Sequence, residues 1–173
     1  EEKEQFTSAR RTVEGVFRDI IRLDNEAKEF SFSAHNTMVE AQNIKNKNPD
    51  KPGVNFWHSK LLDGVLKIHA LFDKIKKEEK NMKNIKKGME KCLDRKDLTM
   101  CQELAEEAKQ SIEIAKNYRQ EIGHIYRTAY SQPDLGIGDL ANKLKETMRK
   151  NQIRFERQRP QEEFRDEFIA YKI

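Results

Sequence analysis

Residues 6–44, "FTSARRTVEGVFRDIIRLDNEAKEFSFSAHNTMVEAQNI", place apolar or small side chains at alternating steps of three and four. Written as heptads, the a positions are Phe6, Val13, Ile20, Ala27, Ala34 and Ala41, and the d positions are Ala9, Val16, Leu23, Phe30, Thr37 and Ile44. A repeat of this length predicts one long helix with a narrow buried seam, which we place at residues 5–46. At 1.5 Å per residue such a helix is roughly 60 Å long.

The same pattern returns after a turn. Two prolines and a glycine in "NKNPDKPG", residues 46–53, interrupt the first helix. A second heptad then runs from Val54 to Cys92 and predicts a helix over residues 54–95. Its d positions are Trp57, Gly64, Leu71, Glu78, Ile85 and Cys92. Thr99, with Gln102 three residues later, fits a capping box for a third helix over residues 99–130. Beyond "SQPDLGIG", two shorter patterns predict helices over 139–158 and 161–172.

Long helices joined by short turns must lie beside one another in opposite directions. We therefore expect one all-α domain over residues 1–173: an elongated antiparallel bundle of three long helices, one shorter helix and a short C-terminal helix. The composition fits, because 7 glycines and 4 prolines leave few turns, and 37% charged residues suit a thin assembly with much surface. A narrow seam also leaves a helix face that the fourth helix or a second protomer could cover.

The sequence carries little sign of catalysis. It has no glycine-rich phosphate loop, no His-Glu-x-x-His and no nucleophile elbow. Glu121 and His124 form half of a di-iron carboxylate motif, but the required second copy is missing. The histidines stand at no metal-binding spacing. We predict no catalytic residue, no metal and no cofactor, and no transmembrane segment because no apolar run reaches eighteen residues.

Cys92 and Cys101 are the two cysteines of the chain, and they flank the predicted turn between the second and third helices. Both fall on core-facing positions, and antiparallel helices about 8–10 Å apart can bring such a pair within disulfide reach. We predict a disulfide, which would contribute roughly 2–3 kcal/mol and imply an oxidising compartment. The alternative is two reduced cysteines acting as small buried hydrophobic residues.

The run "KIKKEEKNMKNIKKGMEKC", residues 74–92, is followed by a turn, Cys101 and an alanine-containing helix. This segment resembles the cysteine-bridged helical hairpins of salivary proteins of blood-feeding insects, in particular the aegyptin-like C-terminal domain of mosquitoes. That family carries further cysteines, which this chain lacks. The resemblance implies a secreted, non-enzymatic protein that binds a host molecule such as collagen or a haemostatic or immune factor.

Residues 67–96 contain eleven basic and five acidic residues. On the heptad, four of the lysines form one outward stripe: Lys76, Lys80, Lys83 and Lys87. Such a stripe can meet lipid headgroups or a sulfated glycan, although a simple solvated face is the alternative. A second basic patch comprises Arg149, Lys150, Arg154 and Arg157. Nucleic acid is not expected as a partner, because no recognition motif or interleaved aromatic residue accompanies the lysines.

Phe56 and Trp57 follow the proline-glycine turn directly. Trp57 occupies a d position, which favours a place in the core, and a binding tip near the turn is the alternative. Taken together, the patterns favour a secreted helical protein that recognises a protein or an anionic glycan or lipid surface through basic residues. The alternative is a cytoplasmic, membrane-peripheral coiled coil of the BAR-like or scaffolding kind. The chain could be a monomer or a homodimer.

Overall fold

The computed structural model describes residues 1–50 and 52–130, which contain three helices and no strand. The helices are α1 (Glu2–Lys47), α2 (Pro52–Asp94) and α3 (Leu98–Tyr130). The all-α class is confirmed for these residues. The helices predicted at 139–158 and 161–172 lie outside the described residues. The antiparallel arrangement and the single domain stay predictions.

The chain divides into two compact units, and each long helix contributes to both. The first unit consists of Glu1–Asp24 and Asp73–Arg119, which supply the start of α1, the end of α2 and most of α3. The described part of the second unit comprises residues 25–50, 52–72 and 120–130.

The core of the first unit is the heptad seam of three helices. α1 contributes Ala9, Val13, Val16, Ile20 and Leu23; α2 contributes Met82, Ile85, Met89 and Cys92; and α3 contributes Cys101, Ala105, Ala108, Ile112 and Ala115. Phe6 packs against this cluster while remaining partly exposed. The alanines of α3 have no side chain beyond Cβ, so the longer methionine and isoleucine side chains of α2 can fill the space between the helices.

The core of the second unit is built around aromatic residues and small residues. Trp57 and Ile68 of α2 are each only 1% exposed. The rings of Phe30 and Tyr126 meet edge to face, with centroids 5.2 Å apart and planes at 69°. This is a preferred geometry for aromatic pairs.

In the second unit, part of α1 is buried on all sides and not only along a narrow seam. Every residue from 25 to 31 is buried, including Glu26, Lys28 and Glu29. Each of these three charged residues takes part in a hydrogen bond, an ion pair or another electrostatic or ring interaction. Such partners are what allow charged groups to be buried. The heptad pattern alone did not predict burial on all sides of this stretch.

The turn between α2 and α3 differs from the predicted capping box. Lys96 adopts a left-handed backbone conformation with φ of 55°. The Asp97 amide donates to the Cys92 carbonyl and the Lys96 amide donates to the Leu93 carbonyl, which is a Schellman motif. The cap of α3 is Asp97, whose Oδ1 accepts from the Met100 amide at 3.1 Å. The prediction of Thr99 as the cap was therefore wrong, because α3 begins one residue before it.

Candidate functional site

The lysine-rich part of α2 presents one side to the core of the first unit and the other to solvent. Ile75, Met82, Ile85 and Met89 are buried at helical spacing. Opposite them, Lys80, Lys83 and Lys87 are exposed. We call these three lysines the basic face. Lys76, the fourth lysine of the predicted stripe, is half-buried and has an interaction partner. The core side fixes the helix, so the basic face is held on a rigid element.

Two further lysines of α2 do not belong to the basic face, because each lies over an aromatic ring of a neighbouring helix. Lys86 Nζ lies 4.7 Å from the ring centroid of Phe17 on α1. Lys74 Nζ lies 5.5 Å from the ring centroid of Tyr118 on α3. Cation–π contacts of this kind hold an ammonium group close to an aromatic face while leaving its charge in place. The two contacts therefore widen the positively charged surface on both sides of α2.

A carboxyl pair lies beside the basic face. The Glu79 side chain is 14% exposed and Asp24 of α1 is 2% exposed. Burial, followed by a hydrogen bond to Asp24 and the charge of Asp24, raises the pKa of Glu79 from 4.5 to about 7. The positive charges of Lys83 and Lys76 act in the opposite direction. Near neutral pH, Glu79 is therefore only partly ionised and does not fully neutralise Lys83, whose Nζ lies 3.9 Å from Glu79 Oε1.

Glu78, another acidic residue on the core side of α2, is hydrogen-bonded to α3. Ser111 Oγ donates a hydrogen bond to Glu78 Oε1 at 2.8 Å, and Ser111 is 2% exposed. Glu78 occupies a predicted d position, where an apolar residue was expected. The hydrogen bond explains how a carboxylate is tolerated at the edge of the core, because a buried hydroxyl supplies its partner.

The cysteine pair lies at the end of the first unit's core. The Cα atoms of Cys92 and Cys101 are 5.7 Å apart and their sulfur atoms are at bonding distance. This Cα separation is the usual one for disulfides. Both residues are buried, at 3% and 0% exposure, so a bond there would join the end of α2 to the first turn of α3.

The other residues singled out from the sequence do not join this site. Trp57 is buried, whereas Phe56 is 50% exposed and has the Lys60 ammonium 5.6 Å from its ring centroid. Of the two, only Phe56 presents its ring to solvent. Glu121 and His124 are both exposed, and no group of three or more potential metal ligands occurs in the part of the chain that the structure describes. The second basic patch, Arg149, Lys150, Arg154 and Arg157, lies outside the described residues.

The sequence did not reveal the carboxyl pair. Asp24 and Glu79 each follow a d position of their own helix, Leu23 and Glu78 respectively. That is the e position, which borders the seam. Two acidic residues at e positions were therefore a signal of carboxyl groups near the interface. The pairing could not be recognised without knowing how α1 and α2 align.

No helix among residues 1–50 and 52–130 combines the length and the apolarity that a bilayer crossing requires. Comparison of the sequence with protein-family models finds no match, and neither do comparisons with curated proteins and with solved structures.

Proposed function

We propose that this chain is a secreted, non-enzymatic helical protein that binds an anionic macromolecule through the basic face. The observation that carries the proposal is the concentration of charge. Residues 67–96 carry a formal charge of +6, whereas the whole chain carries +4. The positive charge is thus gathered on α2 and its ends, and Lys80, Lys83 and Lys87 direct part of it to solvent. A rigid row of like charges attracts anionic partners.

A sulfated glycan fits this surface better than a lipid bilayer. Helices that bind membranes at the interface usually bury an apolar face among the lipids. Between Asp73 and Asp94 the apolar side of α2 faces the core, and none of the large exposed hydrophobic residues belongs to this segment. Contact at the basic face would therefore be made by ammonium groups alone. Such contact suits a flexible chain of sulfate groups.

Secretion is proposed on two grounds. Disulfides persist in oxidising compartments, and the sulfur atoms of Cys92 and Cys101 lie at bonding distance. The resemblance of residues 74–92 and the following helix to mosquito salivary hairpins favours the same compartment. We also propose that the three long helices run antiparallel, because packing against neighbouring helices would keep α2, and with it the basic face, straight.

The test is binding of the purified chain to immobilised heparin at 50 and 150 mM salt. The triple variant Lys80→Gln, Lys83→Gln, Lys87→Gln should bind at least about tenfold more weakly, since each lysine near an anionic surface contributes about 1 kcal/mol. A matched control, Lys3→Gln, Lys109→Gln, Lys116→Gln, changes the net charge equally at exposed positions on α1 and α3. It should retain most of the binding.

Equal loss in both variants would refute the proposal, because it would mean that net charge rather than the basic face decides binding. Vesicles with 30% phosphatidylserine, or a similar anionic fraction, provide the second arm of the experiment. Binding to vesicles without binding to heparin would favour the membrane-peripheral coiled coil instead. Mass spectrometry after alkylation, with and without prior reduction, tests the compartment: cysteines that react freely after unfolding without reductant would contradict secretion.

A further inference from the structure

The second unit contains a groove between α2 and α3 that the basic face does not involve. Its volume is about 320 Å³. Trp57, Leu61 and Gly64 of α2 and Ile125 of α3 form its inner part. We call it the α2–α3 groove. This volume lies at the lower end of the range of pockets that hold small organic molecules.

Gly64 widens the groove. A Cβ added at this position would lie 3.7 Å from Ile125 Cγ2, so the glycine leaves a gap of about one methyl group between the helices. A second cavity of about 20 Å³ also has Leu61, Gly64 and Ile125 in its lining. A glycine in the interior of a helix is unfavourable relative to alanine. The packing of the core does not explain why a glycine occupies this d position.

The rim of the α2–α3 groove is charged. Lys60, Asp63 and Lys67 line it from α2 and His124 lines it from α3. Asp63 Oδ2 lies 2.9 Å from Lys67 Nζ, so the aspartate forms an ion pair with Lys67. Lys60 has no ion-pair partner among the described residues, and its nearest aromatic contact is the ring of Phe56. The rim therefore has one lysine whose charge no aspartate or glutamate of the described residues offsets.

One polar group lies buried beneath the floor of the groove. Trp57 is 1% exposed and lines the groove, yet its indole Nε1 has no hydrogen-bond partner in the described part of the chain. A buried indole N–H usually has an acceptor. An apolar floor of tryptophan, leucine and isoleucine suits a flat aromatic body, and the lysine of the rim suits a negative charge at its edge.

We propose that the α2–α3 groove binds a small aromatic anion, whose ring lies over Gly64 and against Ile125 and whose negative group faces Lys60. This site is separate from the basic face, and it would give the protein a small-molecule ligand in addition to a macromolecular partner. Failure of glycan binding would not count against the groove, since the two sites share no residue.

The experiment uses 8-anilinonaphthalene-1-sulfonate and, as a probe of similar shape without the sulfonate, N-phenyl-1-naphthylamine. Trp57 is the single tryptophan of the chain, so excitation at about 295 nm followed by energy transfer to the probe reports binding near it. We expect one sulfonate probe per chain and weaker binding of the uncharged probe. Equal affinity for the two probes would overturn the role of the charge.

Two glycine variants separate the groove from general effects on the helices. Gly64→Ala narrows the groove and should weaken binding about tenfold, the usual effect of one methyl group in a tight site. Gly15→Ala is the matched control, because a Cβ there meets nothing within 4 Å. Both changes favour the helix and should raise the unfolding midpoint, so a loss of binding in Gly64→Ala alone could not come from misfolding. Equal affinity in the two variants would refute the site.

Charge variants test the orientation of the ligand. Lys60→Gln should weaken the sulfonate probe by up to about fivefold and leave the uncharged probe unchanged. Asp63→Asn releases Lys67 and should strengthen binding of the sulfonate probe. Lys47→Gln, an exposed lysine near the end of α1 in the same unit, is the control for net charge. If Asp63→Asn weakened the anionic probe, or if Lys47→Gln matched Lys60→Gln, the proposed orientation would be wrong.

Discussion

Replacement of Glu79 by glutamine should make the stability of the protein less dependent on pH. Burial and the neighbouring Asp24 raise the pKa of Glu79 to about 7 in the folded chain, against 4.5 for an unperturbed glutamate. The folded state therefore holds the Glu79 proton more tightly than the unfolded state does. The resulting stabilisation is fully present below pH 4.5 and is lost as the pH rises through about 7.

The size of this effect follows from the shift in pKa. A change from 4.5 to about 7 corresponds to at most about 3.4 kcal/mol, at 1.36 kcal/mol per pKa unit. Because Glu79 retains some contact with solvent, we expect only about 1–2 kcal/mol of this. The side chain introduced by Glu79→Gln would resemble the protonated glutamate, because its amide is neutral and can donate to the Asp24 carboxylate.

Chemical denaturation followed by circular dichroism at 222 nm, between pH 4 and 8.5, measures the difference. Glu79→Gln should match the parent protein at pH 4 and exceed its free energy of unfolding by about 1–2 kcal/mol at pH 8.5. Glu90→Gln, an exposed glutamate on the same helix, makes the same charge change and should shift stability by less than about 0.5 kcal/mol at every pH. A constant difference between Glu79→Gln and the parent across this range would refute the reasoning.

Two further outcomes concern the turn between α2 and α3. The double variant Cys92→Ala, Cys101→Ala should lower the free energy of unfolding by about 2.6 kcal/mol relative to the oxidised protein, which is the loop entropy for a separation of nine residues. An unchanged denaturation midpoint in oxidising buffer would mean that the bond does not form. Lys96→Gly should raise the free energy of unfolding by about 0.5–1 kcal/mol, because glycine adopts the left-handed conformation without the steric cost that lysine bears. Lys91→Gly, in the interior of α2 near its end, is the control and should destabilise the protein instead.

The helices could be predicted closely because their signals are local. Each predicted boundary of the three long helices lies within three residues of the observed one. Eleven of the twelve seam positions assigned to α1 are buried, and Phe6, near the first turn, is the partly exposed one. A heptad pattern depends only on which residues share a helix face, and the turn residues lie between the patterns.

The cap of α3 shows where local rules are insufficient. Thr99 and Asp97 both satisfy the chemistry of an N-cap, and Thr99 also has a glutamine three residues later. The Schellman motif at the end of α2 decides between them, because its hydrogen bonds leave Asp97 as the next residue able to begin a helix. Lys96 gave no sequence signal for this motif, since glycine is the residue usually found at its position.

The charge of the basic face depends on a residue of another helix. Counted along the sequence, Glu79 is one of five acids that offset eleven basic residues between positions 67 and 96. In the fold, burial together with the neighbouring Asp24 of α1 keeps the pKa of Glu79 near 7, so at neutral pH this acid offsets only part of a lysine charge. Nothing within α2 indicates that effect, because it arises from the alignment of α1 against α2. The electrostatic character of the surface therefore follows from packing as much as from composition, and it should become more positive as the pH falls below 7.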